Sequence, residues 1–155
     1  YRRETSAGPA RVGTGGLAAV YCEELTRTAL LKELRARSTY ATSGPRLLLS
    51  AKLEDQSMGS RVKPRSGEAA LSLEIHGQAP IEELELIRSG AVVTKLKLPE
   101  PALDLEHTFR LNDLEEGEYL YVRIRQSDGG LAWSSPWFIT ERESGAWRDS
   151  AHEER

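Results

Sequence analysis

The chain has 155 residues, of which 39% are hydrophobic and 29% charged, with a net charge of −3. That balance excludes a disordered chain, and no apolar run approaches the ~20 residues of a membrane span. The charge supplies no drive toward nucleic acid or an anionic membrane, so neither is expected as a partner.

Residue 1 is Tyr and the only methionine is Met58, which predicts a processed product or a fragment; a fragment is the expectation. Cys22 is the single cysteine, so no intrachain disulfide and no thiolate metal cluster can form. Residues 1–16 are rich in Gly and Arg without an apolar period and read as a loop. Within them Gly13-x-Gly15-x-x-Ala18 matches a loose dinucleotide fingerprint, but no strand precedes it, and an entry loop is the better reading.

Leu17 to Tyr21 is short, apolar and bounded by glycines, as a buried parallel strand would be. A helix follows. Thr26 can cap it, Glu23 and Glu24 lie at its positive end, and Arg35 and Arg37 lie at its negative end. Leu30, Leu31 and Leu34 form one stripe, with Arg27, Lys32, Glu33 and Arg35 free to face water. A lone strand–helix unit cannot bury its own faces and must dock on something.

From Arg46 onward the period becomes 2. Strands are expected at Leu47–Leu53, Leu71–His76, Glu83–Leu86, Lys95–Leu98, Phe109–Leu111, Tyr119–Arg125 and about Ala132–Thr140. Seven short strands predict an immunoglobulin-like antiparallel β-sandwich. At the Ser89-Gly90 hairpin, a three-residue loop through Ala91 sets Leu84 opposite Leu96, Glu85 opposite Lys95 and Glu83 opposite Lys97. That register matches both faces, whereas a two-residue loop would set Leu84 against Lys95. Tyr119, after the turn at Gly117, stands where such folds place a tyrosine corner. Residues 141–155 are charged and aperiodic and read as a tail.

Two stretches carry a resemblance. Gly15-Gly-Leu-Ala-Ala-Val-Tyr-Cys-Glu-Glu-Leu-Thr-Arg-Thr-Ala-Leu-Leu-Lys-Glu-Leu-Arg-Ala-Arg-Ser-Thr-Tyr-Ala-Thr-Ser-Gly-Pro-Arg46 is one, and Ala132-Trp-Ser-Ser-Pro136 is the other. Both are similar to the C-terminal region of polymerase-and-histidinol-phosphatase (PHP) domain proteins, a family that includes carbaryl-hydrolase-type enzymes and phosphoesterase-like proteins. The resemblance implies an α+β fragment. Residues 1–45 would be the C-terminal remnant of a PHP β/α barrel, with 17–37 its last strand and helix, and 46–140 an appended sandwich.

It also implies a parent metal-dependent hydrolase, acting on a phosphoester or another ester or amide of a small molecule. The parent would use divalent zinc, manganese or iron, and its missing N-terminal barrel portion would be this fragment's partner. The family's His-x-His and Asp-x-His ligand motifs are absent from this chain, so no metal is assigned to any residue here and the fragment is expected to be inactive alone. Cys22 departs from the small residue usual in such proteins. Beside the barrel's end, Thr39, Tyr40, Thr42 and Arg46 would approach substrate, Arg46 through forked bonds to a phosphate or carboxylate. The competing reading of 39–46 is a connector turning at Gly44-Pro45. Expressed alone, the apolar surface of Leu17 to Leu34 predicts aggregation.

Other candidates have plainer readings. His76, His107 and His152 are read as surface residues, the first two on polar strand faces. Cys22 reads as a packed thiol, since no His lies near it in sequence. Trp133, Trp137, Tyr119 and Tyr121 would form an aromatic sugar platform if the chain were instead a stand-alone binding module for a glycan or a protein; packing is the alternative for them.

Overall fold

The computed structural model describes residues 15–64 and 68–140. The expected N-terminal loop before Gly15, including Gly13 of the dinucleotide fingerprint, and the expected tail with His152 lie outside the described residues. In chain order the elements are β1 (Leu17–Val20), α1 (Arg27–Ala36), β2 (Thr39–Thr42), β3 (Leu48–Leu53), β4 (Gln56–Ser57), β5 (Arg61–Val62), β6 (Glu68–Arg88), β7 (Ala91–Asn112), β8 (Tyr119–Gln126), β9 (Leu131–Ser134) and β10 (Trp137–Ile139).

The strands join in one ten-stranded sheet whose main path runs β1-β2-β9-β8-β6-β3-β4; β7 flanks β6, and β10 links β8 to β5. Every pair is antiparallel except β10 with β5. Two strands span more than twenty residues each, and they curl the sheet. The first half of β6 pairs with β3 and the second half with β8, while β7 follows it along both. The curl encloses one core, in which Trp137, Leu49, Leu53, Leu71, Ile75 and Ile124 are fully buried.

The alternation read from the sequence sets the faces. Leu120, Val122 and Ile124 point inward, while Tyr121 and Arg123 stay partly open and Tyr119 and Arg125 are exposed. The β6–β7 register has Leu84 opposite Leu96, Glu85 opposite Lys95 and Glu83 opposite Lys97, as expected. The turn achieving it differs. Ser89 (φ 48) and Gly90 (φ 86) make a two-residue loop between paired Arg88 and Ala91. The extra residue is taken up by a bulge, where Leu86 faces Thr94 and Ile87 faces Val92.

The fold class is corrected. The chain is not an α+β fragment in which a barrel's terminal strand–helix unit precedes a separate immunoglobulin-like sandwich. β1 is an antiparallel edge strand rather than a buried parallel one, pairing with β2, and β2 in turn pairs with β9. The sheet therefore runs unbroken across Gly44-Pro45, and α1 is the one helix among the described residues. The physical reason is local. A four-residue apolar run carries no signal separating parallel from antiparallel pairing. Thr39-Tyr-Ala-Thr42, read as a polar connector, alternates after all, with Tyr40 and Thr42 buried and Ala41 exposed.

Tyrosine hydroxyls tie this region to the sheet. Tyr40 donates to the Leu47 carbonyl at 2.8 Å, and Tyr21 donates to the Leu49 carbonyl. Among the described residues Tyr119 has no such bond. It stands partly exposed and stacks on Tyr121, with its hydroxyl beside Gly90.

The helix termini follow the sequence. Thr26 is extended (φ −113, ψ 155) and its hydroxyl oxygen accepts from Ala29 N–H at 3.2 Å. Arg37 ends the helix in the left-handed region (φ 60), and Ser38 N–H donates to the Glu33 carbonyl. Arg37 then pins the helix end to the sheet. Its Nε donates to the Gly59 carbonyl at 2.9 Å, and its guanidinium lies 5.4 Å from the Phe138 ring centroid. Gly59 has φ +85, and a Cβ there would stand 2.4 Å from the Arg37 carbonyl oxygen. Gly59→Ala is therefore expected to cost about 2 kcal/mol or more. Urea unfolding should show a lowered midpoint, and an unchanged midpoint would mean the helix end does not seat against this loop.

Candidate functional site

Alternation places a charged stripe on the outer face of β7, β6 and β8. Lys97 and Lys95 lie opposite Glu83 and Glu85, which lie opposite Arg125 and Arg123. The carboxylates are the centre row. Their side chains are only 8% and 7% exposed, because the flanking cations lie across them. Lys95 Nζ is 2.8 Å from Glu83 and 3.1 Å from Glu85. Arg123 pairs with Glu85 through both Nε and a terminal nitrogen, and Arg125 Nε lies 3.7 Å from Glu83. Burial pushes the Glu85 carboxyl up, but the hydrogen bonds from Arg123 and Lys95 outweigh it and hold it below the ordinary carboxylate value. A carboxylate held ionised in this way is a poor general acid. The network ties three strands together.

A second pair closes the β7–β8 loop. Arg88 forks onto Glu118 at 2.8 and 2.6 Å and donates to the Asn112 and Asp113 carbonyls. That hydrogen bond holds Glu118 low and Arg88 high.

The histidines differ from each other. His76 is exposed on the outer face, Nδ1 2.9 Å from Asp104 and Nε2 3.3 Å from Glu74, and the Asp104 and Glu74 bonds raise its pKa. His107 corrects an expectation. It pairs with Leu73, in line with Phe109 and Leu105 on the apolar side, and sits edge-on to Phe109 at 4.5 Å. Burial pushes its pKa down. No three His, Cys, Asp or Glu side chains gather as a metal site among the described residues.

The substrate-proximal candidates occupy structural positions. Thr39 shares a 2.9 Å hydrogen bond with Ser135, Tyr40 holds Leu47, and buried Thr42 accepts from Gly44 N–H at 3.2 Å. Arg46 is exposed, and its backbone N–H donates to Gln78 Oε1 at 2.7 Å. The structure strings these residues along and just beyond one strand and does not gather them about a cleft. Cys22 is half-buried. Trp137 is fully buried, its indole N–H donating to the Gln56 carbonyl at 3.0 Å, so it belongs to no exposed platform; Trp133 is half-buried. The Glu–Lys half of the charged stripe follows from the hairpin register, whereas Arg123 and Arg125 join it through the pairing of β6 with β8. The stripe's signal in the sequence is Glu-x-Glu and Lys-x-Lys on a hairpin, with Arg-x-Arg on the most regular strand.

Residues 2–51 match a protein family described as being of unknown function, DUF3604. The chain is 31% identical over 139 residues to an uncharacterized protein of Chlamydia pneumoniae and 31% identical to one of Chlamydia muridarum. A Chlamydia trachomatis protein is 30% identical. Each match covers 80% of this chain but only 22% of the relative, so the chain spans about a fifth of the length of these proteins. No solved structure matches the chain. No helix among the described residues is long and apolar enough to cross a membrane.

Two outcomes test the electrostatics. Glu85→Gln removes the charge that Lys95 and Arg123 share and is expected to cost roughly 1–2 kcal/mol at neutral pH, since both cations keep part of their side chains in water. Because Glu85 is held low in the fold, its contribution is complete above the ordinary value of 4.5 and is lost as pH falls through the folded value. The variant's stability should therefore fall less steeply in acid than the parent's, and equal slopes would remove Glu85 from the network. Separately, proton NMR should show His76 titrating above 6.5 and His107 below it. The His76 contribution is complete below 6.5 and lost as pH rises through its folded value, while His107 disfavours the fold as pH drops below 6.5. Coincident midpoints would contradict both placements.

Proposed function

We propose that this chain is an accessory β domain of a larger metal-dependent hydrolase, one that acts on phosphoesters or related small-molecule esters or amides. The observation carrying the reading is the PHP-like stretch from Gly15 to Arg46, which falls inside the segment matching DUF3604. The length of the chlamydial relatives is consistent with it, since most of each relative lies outside the matched stretch. In this reading the remainder of the polypeptide holds the divalent ions, which would activate water and polarise the scissile group. This chain contributes shape and support. Glu83, Glu85, Lys95 and Arg123 are committed to one another across strands, and the polar groups of Thr39, Tyr40 and Thr42 are committed to internal bonds. Arg46 is the member of that group whose side chain faces solvent, and so the one that can reach an anionic substrate held by a neighbouring domain.

The test is hydrolysis of chromogenic phosphate and carboxylate esters by the intact gene product, with added manganese or zinc and with chelator. Chelator-sensitive turnover by the intact product, and none by residues 1–155 alone, is expected. Metal-dependent turnover by the 155-residue chain itself, or an intact product that neither binds metal nor turns over ester, would end this reading.

A further inference from the structure

The sheet has free edges of unlike design. The outer edge of β7 is the longest, but Lys95, Lys97, Pro99, Glu100 and Pro101 break it with charge and with residues that cannot donate. β4 is two residues long. β1 is different. Among the described residues it pairs with β2 alone and presents Leu-Ala-Ala-Val, without charge, proline or bulge. Such an edge is a template for another extended segment.

The element beside it is equally uncovered. Helix α1 has no buried residue, and Leu31 and Leu34 are 43% and 50% exposed; Leu25, just before it, is 88% exposed. A ten-residue helix is marginal in water without tertiary packing. Here the described residues supply part of that packing, where Ala29 and Leu30 are half-buried and Arg37 ties down the C-terminal end, and leave Leu31 and Leu34 open. Leu17, on the strand, is likewise 42% exposed.

What covers it is indicated by the comparisons. The segment matching DUF3604 contains β1, α1 and β2 and begins upstream of β1. The relatives are several times longer than the stretch they share with this chain. We infer that the β1 edge and the leucine face of α1 form the docking surface for the remaining, larger part of the same polypeptide. An extended segment of that part pairs along β1, and an apolar patch of it covers Leu25, Leu31 and Leu34. The inference rests on the accessory-domain half of the proposed function and not on the partner domain being a hydrolase.

Amide hydrogen exchange on the 155-residue chain and on the intact gene product tests it. Leu17–Val20 and the α1 amides should exchange at least about tenfold more slowly in the intact product. Leu31→Lys with Leu34→Lys should leave the melting temperature of the 155-residue chain unchanged within a degree or two, and should make the intact product open to limited proteolysis at the junction. Equal exchange in the two proteins overturns the inference. So does a gene that encodes no domain upstream, or protection that appears in the 155-residue chain with rising concentration and does not increase in the intact product, which would assign the edge to a second copy. An intact product with a protected β1 but no ester hydrolysis would sink the hydrolase reading and leave this one standing.

Discussion

The architecture depends on how β6 bends. Between His76 and Ile81 the strand leaves its regular pairing with β7, and there its other neighbour changes from β3 to β8. Backbone donors freed by such a break must be satisfied if they are buried. Gln126, fully buried at the end of β8, does this: its Oε1 accepts from Gln78 N–H at 3.0 Å and from Ala79 N–H at 3.3 Å. Ser127 N–H closes the other side on the Pro80 carbonyl at 2.8 Å. Gly77 is required in the bend, since a Cβ would stand 2.5 Å from the Ala79 carbonyl. The amide nitrogen of Gln126 has no partner among the described protein atoms. A neutral amide tolerates that vacancy at a cost of about 1–3 kcal/mol, whereas a charged side chain here would not be tolerated. Without this join the two halves of the long hairpin would lie in one flat ribbon and leave the core open.

Once the sheet is curled, the outer face has to hold three strands together without apolar cover, and the charge stripe does so. Glu83 and Glu85 sit between cations on both sides, so within this stripe no like charges stand directly opposite one another. The same logic operates at Arg88, which bonds Glu118 and the backbone of the β7–β8 loop at once. These pairs explain why two carboxylates lie almost fully covered on a nominally solvent-facing surface.

Much of the second half of the chain was legible in its residues. Strict alternation fixes which side chains face inward in β8, and charge complementarity fixes the β6–β7 register even though the turn was counted wrongly. Thr26 and Arg37 end the helix where composition placed its ends. The failures share a cause. Alternation tells a residue's face and not its neighbour. The strands expected at Leu71–His76 and Glu83–Leu86 are parts of one long strand, bent between them. The pairing of β2 with β9 spans about ninety residues and has no local signature. His107 shares the face of Phe109 and Leu111, because β7 keeps its alternation unbroken back through that residue. For the candidate site, the residue types along 39–46 were visible, but their commitment to internal bonds depends on distant partners such as Ser135 and Leu47.

The tyrosine ties bear on what the first forty residues are. Tyr21 is partly exposed, yet burial of its hydroxyl raises its pKa to about 12, and that hydroxyl donates to a carbonyl of β3. Tyr40 reaches the carbonyl of Leu47, the residue just before that strand. Two phenols converging on Leu47 and Leu49 bind the N-terminal segment to the sheet from its inner side, while Ala18 and the leucines of α1 remain outside. The segment is thus integral on one face and uncovered on the other. A surface polypeptide with no further partner gains nothing from a leucine-bearing helix held out in water. The same helix is reasonable where its anchored face fixes its position and its open face is reserved for a neighbour. For the docking inferred above, such anchoring would hold the apolar face and the β1 edge in one fixed relation before the partner arrives.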